Sequence, residues 1–152
     1  MSETNKTSAK QVRIDKLYQL CLEAAASAFD PDRNLIAQPA ADNPDVKTYW
    51  GAGALPYAHA LLSEDDVEAV KTGASIVSAM MESQITNPHH PHQGNWKWLA
   101  DDPEAGDLNA IQFVSRWFLP LLVTHLTQRD EQASTHLTLE MQVVMLLGRA
   151  LP

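Results

Sequence analysis

The residues best equipped for chemistry fall in one turn-rich stretch, from Asn87 to Asp107. Trp96 and Trp98 flank Lys97 just after Gly94, and aromatic faces offer large, rigid apolar area to the C–H-rich faces of sugars. The pair reads as a saccharide-stacking platform, or as core residues that plug helix ends. His89, His90 and His92 carry imidazoles, which are common zinc and copper ligands. Pro88 and Pro91 hold that segment extended, so neighbouring rings point apart, and no carboxylate stands at ligand spacing before Asp101. These histidines read as a solvated loop, and no metal or other cofactor is expected. Asp101, Asp102, Glu104 and Asp107 supply paired carboxylates, the groups that glycoside hydrolysis needs. Asp107 equally suits a helix N-cap, and Asp101-Asp102-Pro103-Glu104 is ordinary turn composition. Asn109 stands in the first turn of the following helix, where its amide contacts a ligand or pins the preceding loop. Tyr49, Trp50 and Tyr57 border Gly51-Ala52-Gly53, and either line the same cleft end or bury against the first hairpin. Cys21, the sole cysteine, lies on an apolar helix face and is expected to be an inert buried thiol.

Four helices are expected to position these groups. From Lys10 to Ala28, the residues Ile14, Leu17, Cys21, Ala25 and Ala28 recur at helical steps. Asp30-Pro31-Asp32 breaks that pattern, and the stretch from there to Gly53 shows no alternation typical of strands. A short helix is expected from Pro56 to Leu62. The next opens with Ser63 and Asp66 as an approximate capping box and runs on through Val67, Val70, Ala74, Val77 and Met81. Asp107 caps a third long helix with Leu108, Ile111, Phe118, Leu122 and Leu126 inward, a face that Val114, Trp117 and Leu121 widen until the helix is nearly engulfed, and Pro120 predicts a kink. The fourth spans Ser134 to Ala150, with Leu137, Met141 and Val144 on one face and Leu139, Val143 and Leu146 on another. A terminal helix with two apolar faces needs two neighbours. The chain is therefore expected to self-associate or to lack C-terminal hairpins that would cover it.

Four runs carry a family resemblance: Tyr57-Ala58-His59-Ala60-Leu61-Leu62, Met81-Glu82-Ser83-Gln84, Gly94-Asn95-Trp96-Lys97-Trp98 and Asp107-Leu108-Asn109-Ala110-Ile111-Gln112-Phe113. Together they resemble the N-terminal hairpins of large bacterial proteins of the six-hairpin (α/α)-toroid type, similar to glycoside hydrolases and heparinase-like polysaccharide lyases. The resemblance spans Tyr49 to Leu151 and implies an all-α fold of antiparallel helical hairpins, a partial toroid-like array. It further implies that the loops at one end line a carbohydrate cleft, with Trp96, Trp98, Tyr57 and Asn109 as saccharide contacts. No catalytic residue carries over, because no motif here matches the acid and base of those enzymes. The competing class is a non-catalytic helical module for dimerisation or protein interaction.

Composition limits the remaining choices. The chain has 152 residues, 45% apolar and 20% charged, enough to bury one core without staples. A polar segment over residues 1–9 is expected to be flexible, followed by a single helical domain over 10–152. The net charge of −8 argues against nucleic acid, whose binding rests on Lys and Arg neutralising phosphates. No apolar run is long enough to suggest a membrane partner. One cysteine and no signal-like h-region fit a cytoplasmic setting.

Overall fold

The structure is a computed structural model that describes residues 3–106 and 108–127. In chain order, α1 is Glu3–Ala28, β1 Phe29–Asp30, β2 Leu35–Pro39, β3 Lys47–Tyr49, α2 Gly51–Leu62, α3 Val67–Glu82 and α4 Ala110–Thr127. The expectation of an all-α array of hairpins is thus overturned: a three-stranded antiparallel sheet, ordered β1-β2-β3, packs beside the helices. Phe29 pairs with Ile36 and Asp30 with Leu35, while Ala37 pairs with Tyr49 and Pro39 with Lys47.

The sheet forms out of the stretch that reads as irregular, and the residues responsible are the same turn formers. Asp30 accepts the Asp32 N–H at 3.1 Å, and Asn34 takes the left-handed conformation at φ 53°, together reversing the chain between β1 and β2. Asn43 does the same for the next turn, accepting the Asp45 N–H at 3.1 Å on its side chain and the Val46 N–H at 3.0 Å on its carbonyl. Strands of 2, 5 and 3 residues are too short to display a period of two.

The core gathers on α2. Ala52, Ala54, Leu55 and Ala58 are buried, and their small side chains let other elements approach closely. α3 lies against α2 with Ile76, Val77, Met80 and Met81 inward, and α4 adds Ala110, Val114, Phe118 and Leu121. Leu35 and Tyr49 bring the sheet into the same cluster. α2 begins at Gly51, ahead of the Pro56 expected to open it. Pro56 sits inside the helix and is exposed, at the cost of one backbone hydrogen bond. The cap of α3 is Asp66, whose carboxylate accepts the Ala69 N–H at 2.9 Å. Ser63 instead ends α2, its hydroxyl donating to the His59 carbonyl at 2.9 Å. Pro120 lies within α4. The cap expected at Asp107 and the helix expected over Ser134–Ala150 lie outside the described residues.

Candidate functional site

The loop that joins α3 to α4 is tied by a short ladder. Ile85 donates to the Asn95 carbonyl at 2.8 Å, Gly94 to the Ile85 carbonyl at 2.8 Å, and Lys97 to the Ser83 carbonyl at 3.1 Å. The Gln84 amide donates to the Gly94 carbonyl at 3.1 Å, and Gly94 itself has φ 83°, which glycine adopts without strain. Buried Asn95 then reaches 16 residues forward, its Oδ1 accepting the Ile111 N–H at 2.9 Å in the first turn of α4. This is a helix cap supplied from a distance.

That scaffold places three of the saccharide-contact candidates, Trp96, Trp98 and Tyr57, in or against the one core cluster, and leaves Asn109 exposed. Trp96 is 3% exposed, with its ring inside the core cluster. Trp98 is half-buried and meets Phe113 edge to face, with ring centroids 5.0 Å apart. Tyr57 is half-buried against Phe29 at 6.0 Å. Asn109 is exposed, and its carbonyl accepts the Gln112 N–H at 3.0 Å. In the histidine loop, the His92 N–H donates to His90 Nδ1 at 3.0 Å, and His92 Nδ1 lies 3.2 Å from the Ala105 carbonyl. The carbonyl can only accept, so His92 Nδ1 carries the proton. Among the described residues no group of three metal-binding side chains assembles. Asp102 accepts the Leu99 N–H at 2.9 Å as a turn former. Cys21, expected to be buried, is exposed, because it belongs to the part of α1 from Ser8 to Cys21 in which every residue is exposed and nothing among the described residues packs on the apolar side.

The densest charge cluster lies elsewhere, around β1 and β3. The Tyr49 hydroxyl donates to Asp30 at 2.8 Å, and Lys47 Nζ stands 3.6 Å from the same carboxylate. The phenol's hydrogen bond, aided by backbone N–H groups and Lys47, holds the Asp30 carboxyl below the usual carboxylate range. The same bond raises the Tyr49 phenol above its ordinary value. Arg33 pairs with Asp101, which keeps its guanidinium firmly protonated, and lies over the Tyr49 ring at 5.0 Å. The roles of Asp30, Arg33 and Asn95 were not read from the sequence; the Asp30-Pro31-Asp32 turn was the legible trace of the first two, and the Gly94–Trp98 run that of Asn95.

Beside this cluster runs an open cleft of about 460 Å³ between the β1–β2 turn and one side of α3. Asp32, Arg33 and Asn34 form one wall, and Ser75, Ser78 and Glu82 the other. Its chemistry is limited. Arg33 is already engaged by Asp101, and among the described residues neither serine hydroxyls nor the Cys21 thiol hydrogen-bond to a histidine or carboxylate base. A nucleophile without an adjacent base is poorly activated, and what the lining offers is hydrogen bonding to polar groups from Asp32, Asn34, Ser75, Ser78 and Glu82.

No protein-family model, curated protein or solved structure matches this chain.

The most distinctive surface is apolar. On α1, which contacts α2 and β2, Val12, Ile14, Leu17, Tyr18 and Leu20 are 46–63% exposed, and from Ser8 on only Leu22, Ala25 and Ala28 are half-buried. α4 exposes Ile111, Phe113, Trp117, Leu119 and Val123 on the sides away from α2. No helix among the described residues is long and apolar enough to cross a membrane.

Proposed function

We propose that this chain is a non-catalytic protein-interaction module that works through the apolar faces of its helices, α1 foremost. The observation that carries the reading is the bare stripe Ile14, Leu17 and Tyr18 on α1. Each such side chain gains about 1.5–3 kcal/mol when fully buried, so three together favour contact with another surface.

Two readouts on the full chain test this: molar mass by light scattering behind a sizing column, and binding of the dye ANS. The expected result is a mass above 16.8 kDa, or dye binding by the monomer, with either signal lost in Leu17→Glu while the circular dichroism spectrum is unchanged. A monomer that binds no dye, and that Leu17→Glu leaves unaltered, sinks the proposal.

A further inference from the structure

We infer that the polar cleft between the β1–β2 turn and α3 is a binding site for a small aliphatic diamine, with one ammonium group held at each wall. The inference goes beyond the interaction-module reading and is independent of it, since the cleft and α1 share no residue.

The lining divides into two similar sets of acceptors. On α3, Ser75, Ser78 and Glu82 stand three and four residues apart, which sets them in a row along one side of the helix. Across the cleft, the β1–β2 turn contributes Asp32 and Asn34. Each wall therefore carries one carboxylate and at least one neutral oxygen. An ammonium group has three donors and no acceptor, and such a set serves it: the carboxylate meets its charge and the neutral oxygens take the remaining protons.

These groups are unused by the rest of the fold. Other hydroxyls on the helices turn back on their own backbone: Ser27 donates to the Ala24 carbonyl at 2.8 Å, Thr72 to Glu68 at 2.9 Å and Ser83 to Met80 at 2.7 Å. Acceptors at other turns and caps are engaged as well, Asp30 by the Tyr49 hydroxyl, Asp66 by the Ala69 N–H and Asn95 by the Ile111 N–H. The side chains of Asp32, Asn34, Ser75, Ser78 and Glu82 make no hydrogen bond or ion pair among the described residues, yet they line one concavity.

Charge selects the class of ligand. Arg33 also borders the cleft, but its guanidinium is paired with Asp101 and lies over the Tyr49 ring, so Asp32 and Glu82 face no free cation there. Anions are repelled by those two carboxylates. A metal ion is a poor fit, because no group of three metal-binding side chains assembles among the described residues and the two acids stand on opposite walls. A sugar finds no stacking face, since none of the lining side chains is aromatic. A ligand with two ammonium groups joined by a short alkyl chain matches both walls, and Ala74 and Ala79 offer methyl groups to its middle. The volume of about 460 Å³ falls within the range of small-molecule sites, roughly 300–1,000 Å³. Both ion pairs stay in contact with water, so the dissociation constant should lie near ~1 mM.

Titration of the isotope-labelled full chain with putrescine, followed by NMR, tests the site. The expected result is a saturable shift of the backbone amides of Asp32, Arg33 and Asn34 and of those from Ser75 to Glu82. Butylamine, with a single ammonium, should bind about threefold or more weakly. Asp32→Asn and Glu82→Gln alter exposed side chains without changing their shape, and each should weaken putrescine by about threefold or more. Asp42→Asn, which removes an exposed acid from the β2–β3 turn, should leave binding unchanged.

An Asp42→Asn effect equal to that of the two cleft variants would mean general attraction to an acidic surface, and would overturn the inference. Butylamine binding as well as putrescine would do the same. So would magnesium shifting the same amides as strongly, or a lysine tetrapeptide shifting them where putrescine does not, which would make the cleft a cation or basic-peptide site. Shifts spread over the whole chain, or none at concentrations well above millimolar, also remove the site.

Discussion

Replacing Gly73 by alanine pits two effects of similar size against each other, and the packing of α3 on α2 decides the sign. In an exposed helix interior the change stabilises by about 1 kcal/mol, because glycine loses more backbone freedom on folding. Here a Cβ at position 73 would stand 2.9 Å from Leu62 Cγ, 3.0 Å from the Ala58 carbonyl oxygen and 3.2 Å from Leu61 Cβ. Ordinary carbon contacts lie near 3.5–4.0 Å, and the carbonyl belongs to a helix backbone that cannot rotate aside. The two helices must separate by about half an ångström, and overpacking of this kind costs about 1–3 kcal/mol. The net expectation is a loss of roughly 1 kcal/mol in urea unfolding followed by circular dichroism, or about 3 °C in melting temperature. Ser78→Ala, on the exposed side of the same helix, serves as the control and should stabilise by a few tenths of a kcal/mol. Combining Gly73→Ala with Leu62→Ala should recover part of the loss beyond additivity, since the second change removes one clashing atom. If Gly73→Ala gains the full propensity benefit, α2 and α3 are not in the close contact described here.

Two further outcomes follow from single hydrogen bonds. Asp66→Ala should cost about 1 kcal/mol by removing the cap from Ala69 N–H, whereas Asp66→Asn should retain most of it in the same urea titration. Tyr49→Phe removes the bond that depresses Asp30, so the Asp30 carboxyl followed by NMR should titrate closer to its ordinary value of 3.8. A depressed carboxylate adds stability that is present above its unfolded value and lost as pH falls through its folded one, so the variant's acid limb should flatten. The raised Tyr49 phenol works in the opposite direction, its contribution being present below about 10 and lost as pH rises through the folded value.

The helices were legible where an apolar stripe was long. The spacing of Val67, Val70, Ala74, Val77 and Met81 located α3, but of the row expected to face inward on α4 only Phe118 is buried and Leu122 half-buried, while Leu108 and Ile111 are exposed and the true buried face also takes Val114 and Leu121. The sheet was not legible, because Pro31, Asn34, Asn43 and Pro44 mark an irregular stretch in the chain pattern and act as turns in the fold. Propensity also misplaced the start of α3: Ser63 and Asp66 are both good caps, and only the extended backbone at Asp66, φ −87° and ψ 124°, selects between them. The charge cluster escaped for a related reason. Asp30, Arg33, Tyr49 and Asp101 meet only once the sheet has formed, the Arg33–Asp101 pair spanning 68 positions in the chain.

Exposure on α1 carries more weight than scattered apolar residues on a typical surface, and helix propensity supplies the reason. Ile14 and Tyr18 are weaker helix formers than the alanine, lysine or glutamate that would suit a solvated position. A helix that merely projected into water would therefore be better made of other residues. Among the described residues α1 receives support only near Leu22, Ala25 and Ala28, so its outer half combines poor local propensity with unburied apolar area. Such a conflict between local and global structure is resolved when the stripe is covered, which returns the propensity deficit many times over in buried area. α4 poses the same problem on the sides that carry Phe113, Trp117 and Leu119. On α1 the side chains at stake are Ile14, Leu17 and Tyr18, and burying them against another surface is what the interaction-module reading requires.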